Sequence, residues 1–83
     1  MDRATALDAL TKAAVDVLSV EPDQVTESAS FADDLDADSL DLVELVMQLE
    51  DTLDVTIDED DLADVRTVGQ AVDLILAASA ATA

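Results

Sequence analysis

The sequence contains no cysteine and no histidine, and its 83 residues include one glycine, one proline and one aromatic residue. Without cysteine and histidine the chain has no disulfide, no thiolate nucleophile and no zinc site built from those ligands. It also lacks an imidazole that could act as a general base near neutral pH. The composition therefore excludes hydrolytic catalysis by a histidine-dependent triad.

Basic residues are also scarce. Arg3, Lys12 and Arg66 stand against 21 acids, which gives a net charge of -18. Such a surface repels nucleic-acid phosphates and anionic lipid headgroups, because it lacks the cations that would displace their counterions. We therefore expect partner proteins with basic patches, no nucleic-acid partner and no membrane insertion, with imitation of a nucleic acid as the rarer alternative.

Hydrophobic residues make up 51% of the chain and recur with helical spacing, which argues against the disorder common in acidic chains. No apolar run is long enough to cross a bilayer, and the beginning of the chain lacks the apolar segment of a signal peptide. A chain of this length holds one small core. We expect residues 1–83 to form a single domain that is monomeric and cytoplasmic.

The first part of the chain predicts one helix and a long loop. Residues 3–18 place apolar side chains on one helical face, namely Leu7, Leu10, Ala14, Val17 and Leu18. Pro22 cannot continue a helix, and polar residues crowd the segment around it. A loop of this length needs anchors, and Val20, Val25 and Phe31 are the expected ones.

Three more helices are predicted in the rest of the chain. The second runs from about Ser39 to about Leu53 with Asp38 as its N-cap, and "LDVTI" is then extended. Asp58 is the expected cap of a short third helix, and "TVGQ" forms a capping box at the start of the fourth. Residues 77–83 offer little to bury and are expected to fray. The predicted fold class is all-α, a small four-helix bundle with a long first loop and a short third helix.

The predicted second helix carries two apolar stripes. One is sufficient for core packing and comprises Leu42, Leu45, Val46, Leu49 and Leu53. The other contains Leu40, Val43 and Met47 and is bordered by acids. Leu40 and Met47 favour a partner-binding patch, because an adaptable methionine ringed by charge resembles a docking surface. For Val43, exposure and burial under the loop or the third helix are equally good interpretations.

Three roles are open to Ser39, which stands at the start of this helix. As a helix cap it competes with Asp38, which pairs better with Asp41. As a nucleophile it lacks an activating base. As the acceptor of a phosphate-type group added by another enzyme it is well placed, because the N-terminus of a helix favours negative charge.

A calcium-binding loop is the competing interpretation of the acids that precede the helix. Asp34, Asp36 and Asp38 match positions 1, 3 and 5 of the EF-hand pattern. The match fails at position 6, where Ser39 stands instead of glycine, and at position 12, where Leu45 replaces a bidentate glutamate. We predict no specific metal site. An acidic helical binding protein, either a calcium sensor or a nucleic-acid mimic with Ser39 only as a cap, is the alternative from another class.

The stretch "DLDADSLDLVELVMQLE" resembles the phosphopantetheine attachment region of acyl carrier proteins, in which Asp-Ser-Leu opens the second of four helices. The resemblance extends over almost the whole chain, through "VTESASFADDL" to "VRTVGQAVDLI". It implies a non-catalytic carrier of the dissociated fatty acid synthase type. Ser39 would receive 4'-phosphopantetheine from coenzyme A through a phosphodiester, and the terminal thiol would hold acyl groups as thioesters. A carrier for a polyketide or another specialised pathway is the runner-up.

The resemblance also implies sites for partners and cargo. A phosphopantetheinyl transferase and acyl-processing synthase enzymes would use basic docking patches to contact Asp38, Leu40, Asp41, Val43, Glu44 and Met47. Acyl chains would slip between the helices near Val43, Val46, Leu49 and Val68. The clearest departure from the family pattern is Asp36, where glycine is common.

Overall fold

The structure, a computed structural model, describes residues 1–82, leaving aside the side chains of residues 59 and 80–82. Within this range the chain forms four α-helices, joined by loops, with one 3-10 turn at Pro22–Gln24 in the first loop. The helices are α1 (Arg3–Leu18), α2 (Ser39–Leu53), α3 (Glu59–Leu62) and α4 (Val68–Thr82). The predicted all-α bundle, with its long first loop and short third helix, is confirmed.

One cluster of buried apolar side chains joins the helices and the loop. Its largest fully buried members include Leu10 of α1, Leu45 and Leu49 of α2, Ile75 of α4 and Phe31 of the loop. Branched aliphatic side chains of this kind stabilise a small domain mainly through the apolar area that they remove from water. None of the helices in the described range is long and apolar enough to cross a membrane.

The core-facing side of α1 agrees with the prediction in part, because Leu10 and Ala14 are fully buried as predicted. Leu7 and Val17 are only half-buried, whereas Ala6 and Ala13 are buried beside Leu10. Alanine has a small side chain, and α1 packs against both α2 and α4, so an alanine-rich face lets the helices approach closely. The periodicity located the helix correctly, but the face that α1 buries depends on the neighbours on both sides.

The first loop is fixed to the start of α4. Val25 and Phe31 are buried as predicted, and Val20 packs half-buried against the core. The backbone N–H of Phe31 donates to the carbonyl of Arg66 at 3.1 Å, and the N–H of Val68 donates to the carbonyl of Ala29 at 3.0 Å. These paired backbone groups explain how so long a loop holds one conformation.

Arg3 joins three parts of the fold. Its guanidinium forms ion pairs with Glu27 in the loop and with Asp73 in α4, the latter at 2.6 Å. The hydrogen bonds to Glu27 and then to Asp73 raise the pKa of Arg3 above its ordinary value. In a chain with so few cations, this placement offsets the repulsion between acids of distant segments.

The fraying of residues 77–83 stays a prediction, although most of this segment belongs to the helix α4 in the structure. The helix continues through Thr82, and Ala78 is 9% exposed and belongs to the core. The small side chain of Ala78 is enough to pack against neighbouring apolar groups, so the helix gains a tertiary contact in this turn. Ala83 lies outside the described residues.

Asp36 adopts a left-handed backbone conformation, with φ at 54°. Glycine adopts this conformation at no steric cost, whereas other L-residues lose about 1–2 kcal/mol. This explains why glycine suits the position. We expect Asp36→Gly to raise the free energy of unfolding by about 0.5–1 kcal/mol, because relief of the strain exceeds the entropy that glycine loses on folding.

Urea unfolding measures this effect, and Asp36→Ala is the matched control. Alanine removes the same charge but keeps a Cβ in the left-handed conformation, so this variant is expected to be no more stable than the original chain. If Asp36→Ala stabilises the fold as much as Asp36→Gly does, charge repulsion rather than backbone strain is the dominant effect at this position.

Candidate functional site

The N-terminus of α2 is closed by a reciprocal capping box. The Asp38 carboxylate accepts a hydrogen bond from the backbone N–H of Asp41 at 2.9 Å, and the Asp41 carboxylate accepts one from the N–H of Asp38 at 3.2 Å. These bonds satisfy two backbone donors that the helix itself leaves unpaired. The prediction that Asp38 caps this helix is confirmed, and Ser39 is therefore not the cap.

Ser39 is the first residue of α2, and its side chain is exposed. Within the described residues no hydrogen bond engages its hydroxyl, and the chain has no histidine to deprotonate it. The hydroxyl therefore cannot start acyl transfer by itself. It can accept a group delivered by another protein, and the adjacent backbone N–H groups favour a negatively charged product.

The three acids that resemble a calcium loop perform separate structural tasks. Asp34 accepts a hydrogen bond from the backbone N–H of Ser30 at 2.6 Å, Asp38 caps α2, and Asp36 occupies the left-handed turn between them. Among the described side chains there is no group of three or more that could hold a metal ion. Asp34 and Asp38 are thus engaged in hydrogen bonds to backbone N–H groups.

The second apolar stripe of α2 faces solvent. Leu40 is 66% exposed and Met47 is 62% exposed, as predicted, and Glu44 between them is exposed as well. Val43 is half-buried, so neither full exposure nor full burial, the two outcomes considered for it, is observed. This stripe, with Asp38 and Asp41 at its N-terminal end, is called the docking face below. Its role in partner binding stays a prediction.

Two clefts open beside the docking face. The Ser39 cleft has a volume of about 570 Å³, and the α3 cleft has a volume of about 790 Å³. Val43 and Leu62 line both clefts, so these two side chains stand between them. Other residues of the Ser39 cleft are Phe31, Ala37, Ser39 and Arg66, and others of the α3 cleft are Val46, Met47, Ile57 and Leu74.

The residues predicted to contact an acyl chain are distributed unevenly over these spaces. Val43 and Val46 line the α3 cleft. Leu49 lines a small internal cavity of about 10 Å³, and Val68 is fully buried and lines neither cleft. Two further residues of these clefts, Leu62 and Arg66, were not predicted from the sequence. Leu62 could have been recognised as a cleft residue because it is the apolar residue of the short, otherwise acidic third helix.

Comparison with known proteins identifies the family. Residues 8–75 match the family described as the phosphopantetheine attachment site. The solved structure of an acyl carrier protein from Enterococcus faecalis is 38% identical, and the alignment covers 95% of this chain and 100% of that one with a TM-score of 0.75.

The helical bundle and this match define the class: a carrier that holds a covalent 4'-phosphopantetheine group. The residues present fit such a group, since an exposed hydroxyl stands free at a helix N-terminus beside an open cleft. The chain belongs to the acyl carrier protein family.

Proposed function

We propose that this chain carries acyl intermediates of fatty acid biosynthesis as thioesters on a 4'-phosphopantetheine arm attached to Ser39. The observation that carries the proposal is the free, exposed hydroxyl of Ser39 at the first position of α2, where Asp38 has already taken the capping role. In the proposed transfer, the Ser39 oxygen bonds to the pantetheine-side phosphorus of coenzyme A, the phosphoanhydride bond breaks, and adenosine 3',5'-bisphosphate leaves. A phosphopantetheinyl transferase supplies the base that takes up the Ser39 proton. The chain itself supplies the acceptor oxygen and a helix terminus that favours the new negative charge.

Intact-mass measurement tests this proposal directly. The purified protein is incubated with coenzyme A and a broad-specificity phosphopantetheinyl transferase, and the modified protein is then fragmented. We expect a gain of one phosphopantetheine group per chain, located on the peptide that contains Ser39. A protein that gains no such mass, or a modification located on another residue, contradicts the proposal.

Acyl chains are proposed to shelter in the α3 cleft. Val43 and Val46 line it together with Leu62 and Leu74, and its volume suits a flexible aliphatic chain. Acidic side chains line the same cleft, namely Glu50, Asp58, Asp60 and Asp61, so the chain would have to lie against the apolar side chains alone. Leu49 borders the small internal cavity, so it would contact the chain only if that cavity widened. Val68 supports the core behind this region.

Partner enzymes are proposed to bind the docking face through basic patches. We expect Glu44→Lys to weaken binding to the transferase or to a synthase enzyme about tenfold, because it places like charges opposite one another. Titration at two salt concentrations measures the effect, which should shrink as salt rises. Asp23→Lys is the matched control, because it makes the same charge change on an exposed residue of the first loop.

Equal weakening by Glu44→Lys and Asp23→Lys would mean that net charge, and not the docking face, determines binding. Binding that survives Glu44→Lys unchanged would show that partners use another surface. Met47→Ala measures the apolar contribution to partner binding separately from the charge contribution, because it removes an exposed thioether and leaves every charge in place.

The assignment to fatty acid synthesis rests on "ADSLD" followed by "VELVMQLE". A carrier for a polyketide pathway shares the fold and the serine, and it is the second candidate. Offering the loaded protein to a fatty acid ketosynthase and to a polyketide ketosynthase distinguishes the two, and we expect faster acyl transfer with the former. We further propose that residues 1–83 form one domain, which the single buried cluster among the described residues supports. As part of the same proposal, this domain acts as a cytoplasmic monomer.

A further inference from the structure

Arg66 differs from the other two cations of the chain in its surroundings. Arg3 is paired with Glu27 and Asp73, and Lys12 is paired with Asp8. Among the described side chains Arg66 forms no ion pair, although the chain carries 21 acids. An unpaired guanidinium in so acidic a protein remains able to bind an anion that the protein itself does not supply.

The backbone around Arg66 is held firmly in place. Its N–H donates to the Gln70 side chain at 2.6 Å, and its carbonyl accepts from the N–H of Phe31 at 3.1 Å. The guanidinium donates to the carbonyl of Ala63 at 3.1 Å. One of its five N–H donors is thereby used, and the others remain available.

The Arg66 guanidinium and the Ser39 hydroxyl belong to residues that line the same cleft, the Ser39 cleft. Asp38 also lines this cleft, but it caps α2 and does not pair with Arg66. A phosphodiester on the Ser39 hydroxyl adds a negative charge beside Asp38. Arg66, Asp38 and Ser39 are all exposed, so a hydrogen bond between the guanidinium and a phosphodiester would be charge-assisted but in contact with solvent, and salt would weaken it.

We propose that Arg66 binds the phosphodiester formed on Ser39 and thereby holds the first part of the arm along the Ser39 cleft. This inference rests on the proposed attachment to Ser39. Arg66 is a positioning residue, because the phosphodiester is the link between protein and arm, whereas acyl transfer takes place at the thiol. The Ser39 cleft and the α3 cleft share Val43 and Leu62. An arm held along the Ser39 cleft would therefore bring its acyl cargo close to the α3 cleft.

NMR spectroscopy tests the inference without an activity assay. The chain has two arginines, so one variant, Arg66→Gln, assigns both side-chain Nε–Hε signals. At low ionic strength we expect loading with phosphopantetheine to shift the Arg66 signal and to leave that of Arg3 in place. We also expect the ³¹P signal of the loaded protein to shift in Arg66→Gln and to lose its salt dependence. Arg66→Lys should keep part of the effect, since it retains the charge but not the fork of donors.

Lys12→Gln is the matched control, because it removes one positive charge from an exposed pair on α1. An Arg66 signal that does not move on loading, or ³¹P signals that are the same in Arg66→Gln, Lys12→Gln and the original protein, overturns the inference. If the mass measurement shows loading at Ser39, such a result leaves the proposed function intact. If no loading occurs at Ser39, the proposed function and this inference both fail.

Discussion

Replacing Ser39 with alanine is expected to abolish phosphopantetheine transfer completely while leaving the fold intact. The change removes the acceptor oxygen, so no phosphodiester can form. The cost in stability is expected to stay within about 0.5 kcal/mol, because Ser39 is exposed and the helix is capped by Asp38. Intact mass after incubation with coenzyme A and a transferase measures the loss, and circular dichroism verifies that the helices remain.

Ser30→Ala is the control for this result. Ser30 also lines the Ser39 cleft and carries a hydroxyl, which accepts a hydrogen bond from the N–H of Asp33 at 3.3 Å. This variant is expected to gain the full phosphopantetheine mass. A Ser39→Ala protein that still gains it would place the attachment elsewhere, and loss of loading in both variants would indicate damage to the cleft rather than loss of the acceptor.

Phe31→Ala is expected to cause the largest loss of stability among single substitutions in this chain. Phe31 is the only aromatic residue and is 2% exposed, and its side chain lines the internal cavity together with Leu10, Leu42 and Leu45. Truncation of a buried phenylalanine costs about 3–5 kcal/mol through lost burial and the cavity left behind. Native domains are stable by roughly 5–15 kcal/mol, so the variant is expected to be close to unfolding.

Phe31→Ala is also expected to disturb the backbone next to Ser39. The carbonyl of Phe31 accepts a hydrogen bond from the N–H of Ala37 at 2.7 Å, two residues before Ser39. Urea unfolding measures the stability, and Phe31→Leu is the control, expected to lose under about 1.5 kcal/mol because it conserves most of the volume. A loss below about 1 kcal/mol for Phe31→Ala would contradict the role of this side chain as the anchor of the loop.

Features held by contacts between residues close in sequence could be predicted from the sequence. The capping box at Asp38 and Asp41 involves residues three apart, and so does the box at Thr67 and Gln70, which the structure confirms with bonds of 3.0 and 3.3 Å. The exposure of Met47 followed from helical periodicity in the same way. Such signals are readable because the interacting groups are brought together by the helix itself.

Features that join distant segments could not be predicted in this way. The choice of Ala6 and Ala13 for the core depends on how closely α2 and α4 approach α1. The closure of the first loop is another such feature, since the N–H of Val68 bonds to the carbonyl of Ala29.

By itself, the sequence determined the helices, the N-caps of α2 and α4, the acidic surface and the exposed serine, because each depends on composition or on neighbours within one or two turns. The tertiary structure alone decided that the loop would close on α4 and carry Arg66 to the cleft that contains Ser39. The reason is that the bond between Phe31 and Arg66 spans a long separation in sequence. Such a pairing forms only when the whole core assembles, so no local pattern records it.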